Sequence, residues 1–364
     1  MTGGTLATDE LVDGALDEGR VEAFAGRLLE LYTGGLLTTM IDIGQRTGLF
    51  AAAAQGPATS GALAARADLQ ERYVREWLGA MATAGIVEYD PATRTYRLPA
   101  EHAACLTGDG SANLAPYSRL GTHLAKHLDA VTRAFREGGG VPYAEFRPEF
   151  TDVMDALGRG VFDELLLEAY LPLVPGLVER LAAGARVADV GCGTGHALTL
   201  MGRAYPGSTF VGFDLAEDAV ARARSEAAGL GNVGFEVRDV ARLTVEQPFD
   251  VVFVFDAIHD QVDPAGVLER IHDALAPGGS FVMVEPRVSS NLEDNVGNPM
   301  APMLYAVSTL HCMTVSLAHG GAGLGAAWGE QQARALLAEA GFGEVTVYDA
   351  PGDPLNAVFV TTRP

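Results

Sequence analysis

The chain has 364 residues, a formal net charge of −22 and hydrophobic side chains at 48% of positions. That length accommodates two domains with sizeable cores, and the negative field repels phosphate backbones, which argues against nucleic acid as the ordinary partner. No apolar run reaches the roughly 18 residues of a membrane span, and the first residues lack the basic and apolar regions of a signal peptide. Cys105, Cys192 and Cys312 are scattered, with no C-x-x-C, so neither a disulfide framework nor a zinc site is implied. A cytoplasmic protein without membrane partners is expected.

Residues 1–30 are acidic and helical in pattern, with Leu11, Ala15, Val21, Phe24 and Leu28 approximating one face. The helix runs on through Leu31 and Met40 towards Leu49-Phe50, with Gly34-Gly35 as the expected break. Leu28, Leu29, Leu31, Leu36, Leu37 and Met40 exceed what a short surface helix needs for its own packing, so a homodimer through these helices is expected. Pro57 to Ser60 reads as a cap before a short helix holding Leu63 and Ala64. A second helix, Glu71 to Ala84, has Tyr73, Val74, Trp77, Leu78 and Met81 on its apolar side and closes at Gly85. Ile86–Tyr89 and Arg94–Leu98, about the turn Asp90–Thr93, read as a hairpin. Helix, turn, helix and hairpin make a winged helix-turn-helix within an N-terminal domain of residues 1–105. Its charge does not suit DNA. Arg66, Arg72, Arg75, Arg94 and Arg97 are matched by Asp68, Glu71, Glu76, Glu88 and Asp90, whereas a DNA reader needs a cationic surplus. Dimerisation and covering a substrate are the alternative uses of such a domain.

A helical linker and lid region is expected over 106–180. Asn113 to Phe135 carries Tyr117, His123 and His127. The two histidines stand one turn apart, but no third metal ligand is evident, and a polar stripe facing a cleft or solvent is the reading adopted. Gly138–Gly140 marks a loop, and Val141–Phe146 reads as a segment held over the cleft, with Tyr143 and Phe146 as acceptor contacts. Phe162 to Leu181 is a helix broken near Pro172 and Pro175.

The third region, 181–364, opens with strand residues Val187–Val190 running into Gly191, Gly193 and Gly195, after which a helical pattern continues through Met201. Strand, glycine turn and helix open a nucleotide-binding βαβ unit. A second strand, Thr209–Phe213, ends at Asp214, where this architecture places an acid on a ribose diol, and Asp239 follows a third, Val233–Val237. A dinucleotide fingerprint needs Gly or Ala at its sixth position, which here is His196. Asp189-x-Gly191-x-Gly193-x-Gly195 instead resembles motif I of the class I S-adenosylmethionine (SAM)-dependent methyltransferases. The resemblance implies SAM as cofactor and S-adenosylhomocysteine as product. It also implies a cofactor site made by Asp189, Gly191, Cys192, Gly193, Gly195, Asp214, Leu215, Asp239, Val240 and Phe255, with Asp214 on the ribose hydroxyls and Asp239 near the adenine amino group.

A fourth strand, Phe249–Phe255, leads into Asp256–Pro264 and a helix from Val267 to Leu275; Pro277-Gly-Gly279 then turns into strand Ser280–Pro286. After a helix at 330–340, strands 343–348 and 357–361 are close enough for a hairpin. The fold class expected is therefore α/β: a seven-stranded Rossmann-like sheet with an antiparallel last strand, preceded by a mainly helical winged-helix domain.

Methyl transfer is an in-line displacement that asks the protein to align the acceptor, exclude water and, for a hydroxyl, remove a proton. His259, past the fourth strand at the ligand end of the sheet, is the candidate base, expected to titrate near neutrality. Ile258-His-Asp260, Pro277-Gly-Gly279 and Val284-Glu-Pro286 resemble the two-domain small-molecule O-methyltransferases. That resemblance implies a winged-helix dimerisation domain, His259 as base and Glu285 as the residue orienting it. Gln261 stands where that family has Trp, which leaves thiol, nitrogen or carbon acceptors open. Phe255-Asp-Ala-Ile258 is not the Asn/Asp-Pro-Pro-Tyr motif of amide and nucleobase N-methylation. The insertion 287–329, with Met300, Met303, Tyr305, His311, Cys312, Met313, His319 and Trp328, is expected to cover a planar, apolar acceptor, and Met303, Tyr305, His311 and Trp328 are the contacts chosen. Cys312 is left as packing. Two other readings stay open: a SAM-sensing winged-helix transcription regulator, and a SAM-binding protein whose chemistry is not methyl transfer.

Overall fold

A computed structural model describes residues 16–364, in two compact units divided between Ala103 and Ala104. The expectations placed on Leu11 and Ala15 lie outside the described residues.

In the first unit, Asp17 caps helix α1 (Glu18–Arg46) by accepting from Arg20 N at 3.1 Å. Gly34-Gly35 does not break it. Two glycines cost a helix about 1 kcal/mol each, and the flanking run of leucines, with no proline, lets the ladder continue. Gly44 is where the small residue is needed: a Cβ there would come within 2.6 Å of both the Phe50 and Trp77 rings. Trp77 Nε1 donates to Met40 O at 2.8 Å and ties α1 to the rest. Helices α2 (Leu49–Ala53), α3 (Ser60–Ala67) and α4 (Glu71–Thr83) surround a core of Phe50, Leu63, Val74, Trp77, Leu78 and Met81. Thr59 caps α3, accepting from Ala62 N. The wing is the hairpin β1 (Glu88–Asp90) and β2 (Thr95–Arg97), antiparallel with Tyr89 opposite Tyr96. Its turn is set by Asp90, which accepts from Ala92 N at 2.8 Å, and by Arg94 at φ 54°.

In the second unit, seven strands run β3 (Arg186–Val190), β4 (Thr209–Asp214), β5 (Val233–Val237), β6 (Phe249–Phe255), β7 (Leu275–Pro286), β8 (Thr346–Asp349) and β9 (Asn356–Thr362). Their spatial order is β5-β4-β3-β6-β7-β9-β8. Every pair is parallel except those of β9, which is antiparallel to both β7 and β8. The two parallel halves diverge between β3 and β6, and ligands of such sheets bind beyond the strand carboxyl ends at that point. β3, β6 and β7 are buried almost throughout, as strands covered on both faces must be. Separate clusters of buried side chains lie on the two faces, one around Leu171, Leu198 and Phe253, the other around Phe249, Ile271 and Phe281.

The helical reading of 113–135 needs correction. It is a helix from Pro116 to Leu124, a 3-10 turn over Ala125–His127 and a helix from Leu128 to Glu137. The segment after the cis Arg147–Pro148 bond is helical from Glu149 to Val161 and widens into a π-helix over Phe162–Tyr170. The chain stays helical through Pro172, which sits in the first turn of the segment Leu171–Leu173, and breaks only at Pro175, before the helix Leu177–Ala183. The insertion 287–329 is largely helical, including Ala301–Val307, a π-turn over Ser308–Cys312, and Met313–Leu317.

Candidate functional site

The glycine loop hangs from the end of β4, with Gly191 N and Cys192 N both donating to Phe213 O at 2.8 and 3.1 Å. Asp214 braces it from below, its two oxygens accepting from Gly193 N at 2.9 Å and Ala216 N at 2.8 Å. Gly193 and Gly195 both have φ in the left-handed region, 53° and 73°, but for different ends. A Cβ on Gly195 would come within 2.8 Å of Ala223 Cβ and closer still to the Phe235 ring, so this glycine lets the following helix, His196–Ala204, pack. A Cβ on Gly193 would meet nothing within 4 Å, so that stretch of backbone faces open space. Asp189 is buried at the end of β3, and its Oδ1 has no hydrogen-bond partner. Burial, with a smaller push from Asp214, raises its pKa to about 8. Burial also raises the Cys192 thiol. Asp239 lies two residues past the end of β5, exposed, accepting from Ala241 N at 3.1 Å; Val240 beside it is buried, and Leu215 is exposed. Phe255 is half-buried, 5.0 Å from the Phe162 ring.

The Asp189 shift predicts a pH effect. A carboxyl whose folded pKa lies above its unfolded value contributes stability that is complete below about pH 4 and lost as pH rises through about 8. Asp189→Asn removes that ionisation, so the melting temperature of the ligand-free variant should gain on the wild type steadily between pH 5 and 8. Thermal melts of the two proteins in parallel check this; parallel curves would refute it.

Sequence reasoning missed the ion network that ties this loop to the helix at 149–161. Arg159 donates to Glu226 at 2.8 and 3.0 Å and to Asp155 at 2.9 Å, and Asp155 also accepts from Thr194 Oγ1 at 2.6 Å. His196 lies between Asp163, at 2.8 Å, and Glu226. The sixth-position histidine that argued against a dinucleotide is thus part of the clamp on the loop.

Beyond β6, Asp256 takes φ 49°, a left-handed conformation that Asp tolerates better than most residues. His259 and Glu285 are both buried, and His259 Nδ1 hydrogen-bonds Glu285 Oε2. Glu285 is further fixed by Ile258 N, at 3.3 Å, and by Trp328 Nε1, at 3.1 Å. On the other side, His259 Nε2 stands 3.4 Å from Asp260 Oδ1. Burial by itself lowers the imidazole's pKa; Glu285, Asp260 and Cys312 outweigh it and hold the group well above its ordinary value. The neutral-range titration expected from sequence is thereby corrected upward. Asp256 is raised to about 7 by burial and Glu285, and Cys312 to about 12 by burial. Gln261 Nε2 donates to Ala257 O at 2.8 Å, within the loop that bears His259. Among the described residues, side-chain polar atoms of His259, Asp260 and Cys312 lie within 4.8 Å of one another, as do those of Asp256, His259 and Glu285.

The acceptor contacts chosen from sequence divide. Tyr143, Phe146 and His311 meet in an aromatic cluster, joined by Phe150, which stacks on His311 at 3.7 Å and was not foreseen. His311 is buried, with neither ring nitrogen hydrogen-bonded, and burial lowers its pKa to about 4. His123 and His127 join the cluster rather than forming a polar stripe: His123 is buried 6.2 Å from the Phe146 ring, and His127 is 4.2 Å from it. Met303 and Tyr305 are half-buried on the preceding helix, with Tyr305 Oη accepting from Asn295 Nδ2. Trp328 belongs to the core cluster around Phe249 and Phe281, and its polar edge is engaged by Glu285.

Residues 35–108 match the family of Rv2258c-like winged HTH domains, and residues 181–341 match a methyltransferase domain family. A trans-aconitate 2-methyltransferase of Methylobacterium nodulans is 35% identical over 114 residues, which are 31% of this chain and 42% of that protein. A ubiquinone biosynthesis O-methyltransferase of Xanthomonas euvesicatoria is 36% identical over 104 residues, 28% of this chain and 43% of that protein. The matched stretches thus span less than half the length of these relatives. Among solved structures, human N-acetylserotonin methyltransferase in complex with SAM superposes with TM-score 0.70 at 17% identity, covering 97% of this chain and 99% of that one. The mitomycin 7-O-methyltransferase MmcR superposes with TM-score 0.71 at 18% identity, covering 95% and 99%. At such identities the likeness is one of fold.

Proposed function

From a chain that joins a winged helix-turn-helix domain to a SAM-dependent methyltransferase domain, we propose an enzyme that methylates a small, largely apolar or aromatic molecule at a hydroxyl, with His259 as general base. The observation that carries the reading is the buried His259–Glu285 pair beyond β6, at the ligand end of the sheet. The loop fits the cofactor. Gly193 leaves an open face for close approach, Asp189 has a buried oxygen without a partner, which costs about 1–3 kcal/mol if nothing meets it, and Asp214 and Asp239 stand at neighbouring strand ends. Asp189, Gly191 to Gly195, Asp214, Leu215, Asp239, Val240 and Phe255 would hold it. SAM, when bound, supplies a methyl group already activated on a sulfonium.

The chain's own part is alignment, dryness and a proton. Tyr143, half-buried at the edge of the packed cluster of Phe146, Phe150 and His311, offers a ring suited to an apolar planar acceptor. Glu285 holds Nδ1, which fixes the ring and leaves Nε2 as the atom that takes the acceptor's proton. Binding of SAM but not NAD in a calorimetric titration tests the cofactor; a screen of phenols, hydroxy acids, thiols and amines with labelled SAM tests the acceptor atom. Transfer only to thiols or amines would favour alignment without a base.

The winged helix supports dimerisation better than DNA reading. Arg72 pairs with Glu76, Arg75 with Glu71 and Arg97 with Glu88, while Arg66 donates to Gly56 O at 2.9 Å, so four of the five cations are already engaged. Helix α1 meanwhile exposes Phe24, Leu29, Tyr32 and Leu36, each at more than 60%. A second copy covering α1 accounts for that face. Sedimentation should give a dimer at micromolar concentration, and Leu29→Glu with Leu36→Glu should make it a monomer; a wild-type monomer removes the proposal. A shift of a specific genomic fragment at moderate salt would instead favour a SAM-sensing regulator.

A further inference from the structure

We propose that Trp328 is a positioning residue of the His259–Glu285 pair: its indole N–H fixes the carboxylate oxygen that holds the imidazole and moderates that oxygen's pull on the proton. The inference rests on His259 being the base. The same atom, Glu285 Oε2, accepts from His259 Nδ1 and from Trp328 Nε1, the latter at 3.1 Å, while Oε1 accepts from Ile258 N at 3.3 Å. Glu285 is 1% exposed and Trp328 3%.

The indole is brought there by the end of the insertion. Gly325 N donates to His259 O at 3.2 Å, Ala322 N to Val262 O at 3.0 Å, and Trp328 N to Gly325 O at 3.1 Å. Ser290 Oγ closes the far side on Trp328 O at 2.7 Å. Residues 322–328 are thus strapped along the loop that bears His259, and the ring enters beside Glu285. The insertion 287–329 is in this way wired to the loop that bears His259.

A carboxylate oxygen shared by two donors offers each less charge than it would offer one. Losing the neutral donor strengthens its hold on the imidazolium, so the His259 pKa should rise. The other groups facing His259 are Asp256 at the end of β6, Asp260 on its own loop, and His311 and Cys312 from the insertion. Trp328→Phe removes the N–H donor, keeps an aromatic ring at the site and alters none of these groups.

The chain has two tryptophans, and the other, Trp77, donates its indole N–H to Met40 O, so it serves as an internal control. With 15N-labelled histidine and tryptophan, Trp328→Phe should raise the His259 pKa by about half a unit to one unit, the effect of removing one neutral hydrogen bond. In a Glu285→Gln background the same substitution should shift it far less. A packing role alone would leave the His259 titration where it was, and an unchanged or lowered pKa overturns the proposal. Should Trp328→Phe not fold, Glu285→Gln in the intact tryptophan background must move one indole resonance and not the other; two stationary resonances overturn it equally. Neither measurement needs an acceptor, so an active His259→Ala enzyme, which would end the base reading, is a separate outcome.

Discussion

His259→Ala should lower turnover about 10²–10⁴-fold, the usual contribution of a positioned base, while SAM affinity stays within a few-fold of wild type. The two effects separate because the residues proposed to hold the cofactor lie on the glycine loop and strand ends, whereas His259 touches Glu285, Asp260 and Cys312. Glu285→Gln should cost less than His259→Ala, since the ring stays but loses its anchor. The pH profiles carry the finer test. An imidazole held well above its ordinary pKa must lose a proton before it can accept one, so the wild-type rate should climb with pH through an ionisation on the alkaline side of the usual histidine range. Glu285→Gln removes the principal group raising it, so the variant's profile should rise at lower pH. A discontinuous assay with labelled SAM, read from pH 5.5 to 10, shows all three. Full activity of a folded His259→Ala protein would falsify the base and leave alignment alone as the source of rate, as suits an acceptor already ionised.

The position of His259 was legible because it follows the nearly unbroken apolar strand β6, and that of Glu285 because it stands near the end of β7, where the resemblance to two-domain O-methyltransferases puts an orienting acid; strand ends in a parallel sheet converge on one edge. The glycine loop and Asp214 were legible for the same reason. What could not be read is what depends on pairing across long separations. Trp328 reads as one more large apolar residue in an insertion, and only the fold shows its N–H meeting a carboxylate on β7. Phe150 lies just outside the segment singled out, two residues past Pro148, yet stacks on His311 more than 150 residues later. The Gly34-Gly35 break failed because local propensity was given more weight than a 29-residue helix warrants. His123 and His127 were placed on a polar face by residue type, but desolvation among aromatic rings lowers both pKa values and lets neutral imidazoles pack like any other ring.

Gly193→Asn should weaken SAM binding about 100-fold or more, or about 2.7 kcal/mol, and leave the fold nearly untouched. The contrast with Gly195 makes this specific. Ala at either position faces a left-handed backbone, which costs about 1–2 kcal/mol. At Gly195 the added carbon also drives into Ala223 and the Phe235 ring, so Gly195→Ala should lower the melting temperature as well as the affinity. At Gly193 the added carbon meets nothing in the free protein, so bulk there is felt only by what enters the crevice. Gly193→Asn isolates that effect, because Asn adopts φ near 53° with little strain and still fills the space. Calorimetric titration of SAM against Gly193→Val and Gly193→Asn, beside thermal melts of both and of Gly195→Ala, separates backbone strain from lost room. If Asn binds SAM as the wild type does while Val does not, strain alone explains the loss, and the open face at Gly193 is not where the cofactor approaches.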